Sequence, residues 1–224
     1  MKAVVLLSGG LDSSTVLYQA QADGCECYAI FFDYQQRHRR ELKSAEAIAH
    51  CAGVKDHQVV NFDLRQWGGS ALTDNNIDLP EHRSLEEMSQ NIPITYVPAR
   101  NTIFLSFALS YAEAIGAQRV YLGVNALDYS GYPDCRPDYL EAMQRVFELG
   151  TKQGREGQPI KIVAPLINLK KTAIIELGNQ LGVPWEQTWS CYAGSDIACG
   201  VCDSCRLRLA AFTELGLKDP LPYA

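Results

Sequence analysis

A chain of 224 residues, 47% hydrophobic and 21% charged with a formal net charge of −6, is large enough for one self-sufficient domain, or one domain with an appendage. That composition excludes collagenous and low-complexity classes and argues against disorder. The acidic balance argues against a surface built for nucleic-acid phosphates, which takes clustered Lys and Arg. A small anionic ligand held by one local loop is compatible with it.

Met1-Lys2 leads into a short apolar run, Ala3 to Leu7. No stretch approaches the roughly 20 apolar residues that span a bilayer. We therefore expect a cytoplasmic chain in a reducing compartment and no membrane partner. There, eight cysteines read as metal ligands or catalytic thiols rather than disulfides. Cys25, Cys27, Cys51 and Cys135 are scattered, whereas Cys191, Cys199, Cys202 and Cys205 crowd together near the end.

Lys2 to Leu7, bounded by Ser8-Gly9-Gly10, predicts a first strand. Val16, Leu17 and Ala20 give Asp12 to Ala22 a helical face. Glu26 to Phe32 predicts a second buried strand, and His57 to Phe62 a third. Between them Arg39 to Ala52 carries Leu42, Ala45, Ile48 and Ala49 at helical spacing and stops near Gly53. A helix over Pro98 to Ile115, a strand over Arg119 to Val124 and a helix over Arg136 to Leu149 follow. A short strand over Lys161 to Val163 and a helix over Lys170 to Leu181 complete the series. This alternation implies parallel strands, right-handed crossovers and helices on both faces: an α/β fold with a doubly wound parallel sheet. Gln66 to Pro93 interrupts it. That stretch is polar, turn-rich and too long for a passive connection, so it reads as a lid or a partly mobile loop. No internal repeat is visible.

Ser8-Gly9-Gly10-Leu11-Asp12-Ser13 joins the first strand to the first helix, where a parallel sheet collects its ligands. Two glycines let the backbone approach an anion, and the N–H groups of the following helix point at it. Ser8, Ser13, Ser14 and Thr15 add hydroxyls, and Asp12 is the acid among them. The segment lacks the lysine of a P-loop and the glycine spacing of a dinucleotide site. The plain alternative is a strand–helix turn in which Asp12 or Ser13 caps the helix.

Cys191-x7-Cys199-x2-Cys202-x2-Cys205 supplies four thiolates from a turn-rich segment. Tetrahedral Zn²⁺ takes such a set, and four protein ligands leave no open position, so the ion would be structural. A redox C-x-x-C pair and an iron–sulfur cluster are the alternatives. We divide the chain into an α/β unit, residues 1–187, and a C-terminal segment with its own helix, residues 188–224, packed on the same unit.

Ser-Gly-Gly-x-Asp-Ser after an N-terminal strand resembles the pyrophosphate-binding loop of the ATP pyrophosphatase (PP-loop) superfamily. Further along stand Val97-Pro98-Ala99-Arg100-Asn101, the stretch from Gly123 through Asn125, Asp128, Tyr129, Tyr132 and Asp134 to Arg136-Pro137, Thr188-Trp189-Ser190-Cys191-Tyr192, and the cysteine segment. In that order they resemble the 7-cyano-7-deazaguanine synthase family, from about Lys2 to Leu217. The resemblance implies a doubly wound, adenine nucleotide α-hydrolase-like fold with a C-terminal zinc segment, commonly as a homodimer. It implies ATP-dependent conversion of 7-carboxy-7-deazaguanine and ammonia to a nitrile, with one Zn²⁺ and with Mg²⁺ accompanying ATP. The partners would be small molecules, not nucleic acid. Two residues depart from the family pattern: Gln35 and Ala99 stand where glycine is expected.

The resemblance also distributes roles. Leu7, Ser8, Gly9, Gly10, Leu11, Asp12, Ser13, Ser14, Thr15 and Val16 would bind ATP. Lys171 would stabilise charge on the phosphates, against the plain reading of an exposed lysine. Asp128 and Asp134 would accept from the two donors of a guanine-like edge, and Tyr129 or Tyr132 would stack on the ring. Arg136 or Arg100 would pair with the substrate carboxylate or the α-phosphate. His38 would take a proton from ammonium, or is a surface histidine at a helix entry. Cys191, Cys199, Cys202 and Cys205 would hold the zinc. A tRNA-thiolating member of the superfamily is the alternative, and a non-catalytic nucleotide-binding module a third reading.

Overall fold

The computed structural model describes residues 1–37, 39–84, 87–88, 91–126 and 131–224. Five strands, β1 (Lys2–Leu6), β2 (Glu26–Asp33), β3 (Asp56–Asn61), β4 (Arg119–Tyr121) and β5 (Lys161–Val163), form one sheet in the order β3-β2-β1-β4-β5. Every pairing is parallel. Around it lie helices α1 (Leu11–Ala22), α2 (Arg40–Ala52), α3 (Arg100–Ile115), α4 (Pro137–Gly150), α5 (Lys171–Leu181) and α6 (Asp203–Glu214). The order reverses between β1 and β4, and such a reversal opens a crevice at the carboxyl ends of the strands.

The apolar run that begins the chain is buried on both sides, as a central parallel strand requires. Ala3, Val5 and Leu7 point to one face, where α1, α2, α5 and α6 cover them; Val4 points to the other, under α3 and α4. Phe31 follows the first face and Ile30 the second. Each fully buried side chain of this size contributes about 1.5–3 kcal/mol. The C-terminal helix shares the first core through Ala211 and Phe212.

The elements match the sequence expectations apart from their ends, and two ends have local causes. β4 stops at Tyr121, three residues before the expected Val124, because the chain then crosses the first turn of α1. A Cβ on Gly123 would lie 3.0 Å from the Ser13 amide nitrogen. α3 starts at Arg100 rather than Pro98 because Ala99 is left-handed, with φ +54°.

The polar stretch 66–93 is tied down where it is described. Ser70, Ala71, Leu72 and Thr73 are buried. Ala71 donates its N–H to the Ile94 carbonyl (2.9 Å), and the Arg37 N–H bonds to Leu72 (3.0 Å). Further on, Glu81 bridges to Cys202, His82 donates its N–H to the Val201 carbonyl, and Arg83 pairs with Asp203.

Gln35 and Ala99, the two departures from glycine, both have left-handed backbones (φ +60° and +54°). A side chain there costs about 1–2 kcal/mol, part of which glycine returns as unfolded-state entropy. Ala99→Gly should therefore stabilise the fold by about 0.5–1 kcal/mol. A raised urea midpoint with unchanged slope is the expected result.

Candidate functional site

The turn after β1 is shaped by close packing. Gly9 has φ +80°, and a Cβ on it would lie 2.6 Å from the Glu41 carbonyl oxygen and 2.8 Å from the Ser44 carbonyl carbon of α2. On the other side its carbonyl accepts the Trp189 N–H at 2.8 Å. Hydroxyls brace the turn internally: Ser8 Oγ and Ser13 Oγ are 3.0 Å apart, and Ser13 and Ser14 donate to the Gly10 carbonyl at 3.1 and 2.8 Å. Thr15 donates to Leu11 at 3.0 Å. Ser14 and Thr15 are wholly buried, so their hydroxyls serve the helix. Leu7, Ser8, Gly10, Leu11, Asp12 and Ser13 line the cleft; Gly9 and Val16 lie behind it.

Lys171, the first residue of α5, reaches into this cleft. Its Nζ lies 2.8 Å from both carboxylate oxygens of Asp12, and its side chain is largely buried. The cation thus stands at the mouth of a helix N-terminus lined with amides, a setting that attracts phosphate.

The far wall is aromatic. Phe32 and Phe104 stack with centroids 3.9 Å apart. Tyr34, Tyr132, Tyr192, Leu72 and Asn101 complete the lining. The Arg100 guanidinium lies over Tyr34 and Phe104 (5.9 and 5.8 Å) and donates to Tyr34 Oη at 3.3 Å. Burial works against its charge, but Tyr34, Tyr132 and Asp134 outweigh it and raise its pKa. The Tyr132 hydroxyl sits 2.7 Å from Thr95 Oγ1, and burial raises its pKa.

The other expected site residues are placed as follows. Asp134 is buried outside the cleft lining and accepts the Asn101 N–H at 3.0 Å, while Asn101 Nδ2 returns a bond to its carbonyl at 3.1 Å. It fixes the start of α3, the turn that carries Arg100. Arg136 is exposed and pairs with Asp138 at 3.3 Å. His38, Asp128 and Tyr129 lie outside the described residues.

Cys191, Cys199, Cys202 and Cys205 converge, with all four sulfurs within 4.8 Å of one another. A tetrahedron of thiolates about a metal at ~2.3 Å has sulfurs about 3.8 Å apart, close to this spacing. Cys191 Sγ accepts the N–H groups of Ala193 (3.4 Å) and Cys199 (3.3 Å), and Cys199 Sγ that of Cys202 (3.4 Å). Hydrogen bonds from Cys202 and Cys205, joined by these amides, pull the Cys191 thiol far below its ordinary range. The group could hold a metal ion. Trp189 connects it to the cleft: its indole donates to the Cys191 carbonyl at 3.0 Å, and the Arg40 guanidinium lies 5.0 Å over its ring. Below it, buried Arg208 grips Asp219 at 2.7 and 2.9 Å, tying the C-terminal tail to α6.

Sequence reasoning gave no site role to Glu41, Tyr34, Arg37, Phe104, Tyr192 or Arg208, all of which line the cleft. Glu41 follows a run of arginines on an amphipathic helix, a pattern that a solvated face shares. Burial pushes its carboxyl up to about 7, against the pull of Arg100 and with help from Cys191.

A family model described as "Queuosine biosynthesis protein QueC" matches residues 2–216. The chain is 84% identical to a 7-cyano-7-deazaguanine synthase from Nostoc sp., covering 100% of this chain and 98% of the relative. It is 83% identical to one from Nostoc punctiforme, over the full length of both. Among solved structures it is similar in fold to an NMN synthetase from Francisella tularensis: TM-score 0.51, 16% identity, covering 96% of this chain and 77% of that one.

The two glycines of the turn should respond differently to a methyl group. Gly9→Ala meets α2 backbone in a left-handed conformation and should cost about 3 kcal/mol of stability. Gly10→Ala finds its nearest atoms at 3.3 and 3.5 Å, so it should fold and instead raise the KM for nucleotide; denaturation and kinetics separate the two. Losing one thiolate, as in Cys205→Ser, should lower bound metal and reduce Tm by about 5 °C or more. Metal analysis and a melting curve check it.

Proposed function

Because the chain belongs to the QueC family of queuosine biosynthesis proteins, we propose that it makes 7-cyano-7-deazaguanine by joining 7-carboxy-7-deazaguanine and ammonia at the expense of ATP. The observation that carries this reading is the unbroken match, at 84% identity over the whole chain, to a relative named for that product.

The cleft suits the chemistry. A carboxylate is a poor electrophile at neutral pH, and adenylation gives it a good leaving group. Ammonia then yields an amide. A second activation, at the amide oxygen, followed by loss of that oxygen yields the nitrile. The amides and hydroxyls from Ser8 to Ser13 would take the β,γ-phosphates, with Lys171 on the charge that develops during transfer. Asp12 would share Mg²⁺ with the triphosphate, the ion supplying charge neutralisation. Arg100, a fixed cation, would pair with the substrate carboxylate or the α-phosphate. Tyr132 and the aromatic wall would receive the deazapurine. Asp128 and Tyr129 keep their roles at its edge and face by resemblance, as His38 keeps its role as a base. Asp134 would act through its hold on α3, and Arg136 at the rim.

We take the metal of the four-cysteine group to be Zn²⁺ in a structural role, because four thiolates close its coordination. Cytoplasmic residence is supported by eight free cysteines. A homodimer is supported by β3, an exposed edge strand with Val59 and nearby Phe107 uncovered. A tRNA-thiolating activity is disfavoured: it needs a nucleophilic thiol in the cleft, and Cys135, the cysteine lining it, is pushed up to about 12, chiefly by burial.

The test is mass spectrometry of a reaction holding 7-carboxy-7-deazaguanine, ammonium, Mg²⁺ and ATP, with nucleotide analysis alongside. Nitrile that depends on all four, with AMP released, is the expected result; an unchanged deazapurine beside intact ATP overturns the reading. Lys171→Ala should lower kcat by about 100-fold or more if it meets the transferring phosphate.

A further inference from the structure

Nitrogen enters this reaction as ammonium, which has no lone pair, and leaves as a nitrile, with no hydrogen. Protons must therefore be removed in the cleft, and the described lining offers few groups to accept them. Asp12 is held by both oxygens on Lys171. Tyr34 is kept protonated by burial and faces Arg100. Cys135 is held as a thiol, and no histidine stands among the described lining residues.

Glu41 is different. It sits in the first turn of α2, its own carbonyl packed against Gly9 of the phosphate loop. Its side chain lines the same cleft as Ser8, Asp12, Arg100 and Lys171. Its carboxylate has no hydrogen-bond or ion-pair partner among the described residues; Arg100 and Cys191 act on it only through their charges. A carboxyl with no partner among the described residues, beside a loop that would hold phosphates, is placed to meet the nucleophile rather than to brace the fold. Burial also leaves it easy to protonate and deprotonate near neutrality.

Resting on the synthase reading, we propose that Glu41 is the base that binds ammonium in the cleft and takes its proton before the carbon–nitrogen bond forms. The carboxylate accepts one proton, leaving neutral ammonia. The freed lone pair forms the C–N bond to the adenylated carboxyl carbon. The bond from that carbon to the AMP oxygen breaks, and AMP departs with the electron pair. The extra proton on nitrogen passes to the departing phosphate oxygen, and Glu41 returns its own proton to solvent. The role is that of a catalytic residue for the nitrogen half of the reaction, with none in adenylation.

That division supplies the test. Wild type, Glu41→Gln and Glu41→Asp are compared in three assays: deazapurine-dependent exchange of pyrophosphate into ATP, product formed from ammonium, and hydroxamate formed from hydroxylamine. Hydroxylamine is uncharged at neutral pH and needs no proton removed before attack. Glu41→Gln should keep exchange within about threefold, lose about 100-fold or more with ammonium, and recover most of that loss with hydroxylamine. Glu41→Asp, which keeps a carboxylate, should fall between. An undiminished ammonium rate in Glu41→Gln overturns the proposal. So does an equal loss of exchange and product in both variants, which marks a structural role, or an equal loss with ammonium and hydroxylamine. No nitrile from the wild type overturns the synthase reading itself, and this proposal with it; nitrile from the wild type with any of the other failures overturns this proposal alone.

Discussion

Three parts of the chain meet at Gly9, and the cleft is built around that meeting. Its Cα lies against the backbone of α2, with no room for a side chain, and its carbonyl accepts the Trp189 N–H at 2.8 Å. Across the turn, a Cβ on Gly123 would lie 3.0 Å from the Ser13 amide nitrogen and 3.1 Å from the Asp12 carbonyl carbon. The loop after β1 is thus fixed by a neighbouring helix, a distant C-terminal segment and the chain that follows β4, in addition to its own hydroxyl hydrogen bonds. A single bond such as Trp189 to Gly9 is worth about 1 kcal/mol. Its larger effect is geometric, because it sets the loop at a fixed distance from the cysteine group. The same packing places the first turn of α2, and with it Glu41, beside the site where phosphates would lie.

The C-terminal segment therefore does more than end the chain. Trp189, Cys191, Ala198, Cys202 and Cys205 form a small core of their own, too small to order itself by burial alone. A metal would close it from within, and the Arg208–Asp219 pair closes it from below, with Tyr223 also donating to Asp219 at 2.6 Å. A buried ion pair of this kind adds little net stability over apolar packing, but losing one partner strands a charge. What it supplies is a defined path for the tail across α6, which holds the segment, and so Trp189, against the loop.

Much of this architecture was legible in the sequence, for physical reasons. Strands buried on both faces read as continuous apolar runs, and the tight turn after β1 announced itself by two glycines between a strand and a helix. The cysteine spacing gave the four-thiol group, which could hold a metal ion. Gln35 and Ala99, noted as departures from glycine, prove to hold left-handed backbone, so the family pattern recorded a conformation. The cleft wall was not legible. Tyr34, Glu41, Phe104 and Arg208 come from the end of β2, from α2, from α3 and from α6, and each obeys the apolar or charged pattern of its own element. Only the packing of those elements turns them toward one space. Asp134 shows the reverse: a residue within a distinctive motif whose carboxylate spends its bonds on the start of α3.

Charge gives the last link between composition and chemistry. The chain carries a net −6, yet its cleft is lined by Arg37, Arg100, Lys171 and Arg208, against Asp12 and Glu41. At physiological salt, exposed charges more than about 8 Å apart are screened from one another, so among the described residues a ligand within the cleft responds chiefly to these six and hardly to the acidic exterior. Asp12 is matched by Lys171, and Arg208 by Asp219. Arg100 and Glu41 line the cleft with opposite charge and no ion-pair partner among the described residues, while Arg37 bonds to the Asn75 and Ile77 carbonyls. An anionic carboxylate and a cationic ammonium are the two reactants that must be brought together after ATP. A fixed cation and a titratable carboxylate lining one cleft are the pair of charges that would receive them and bring them together.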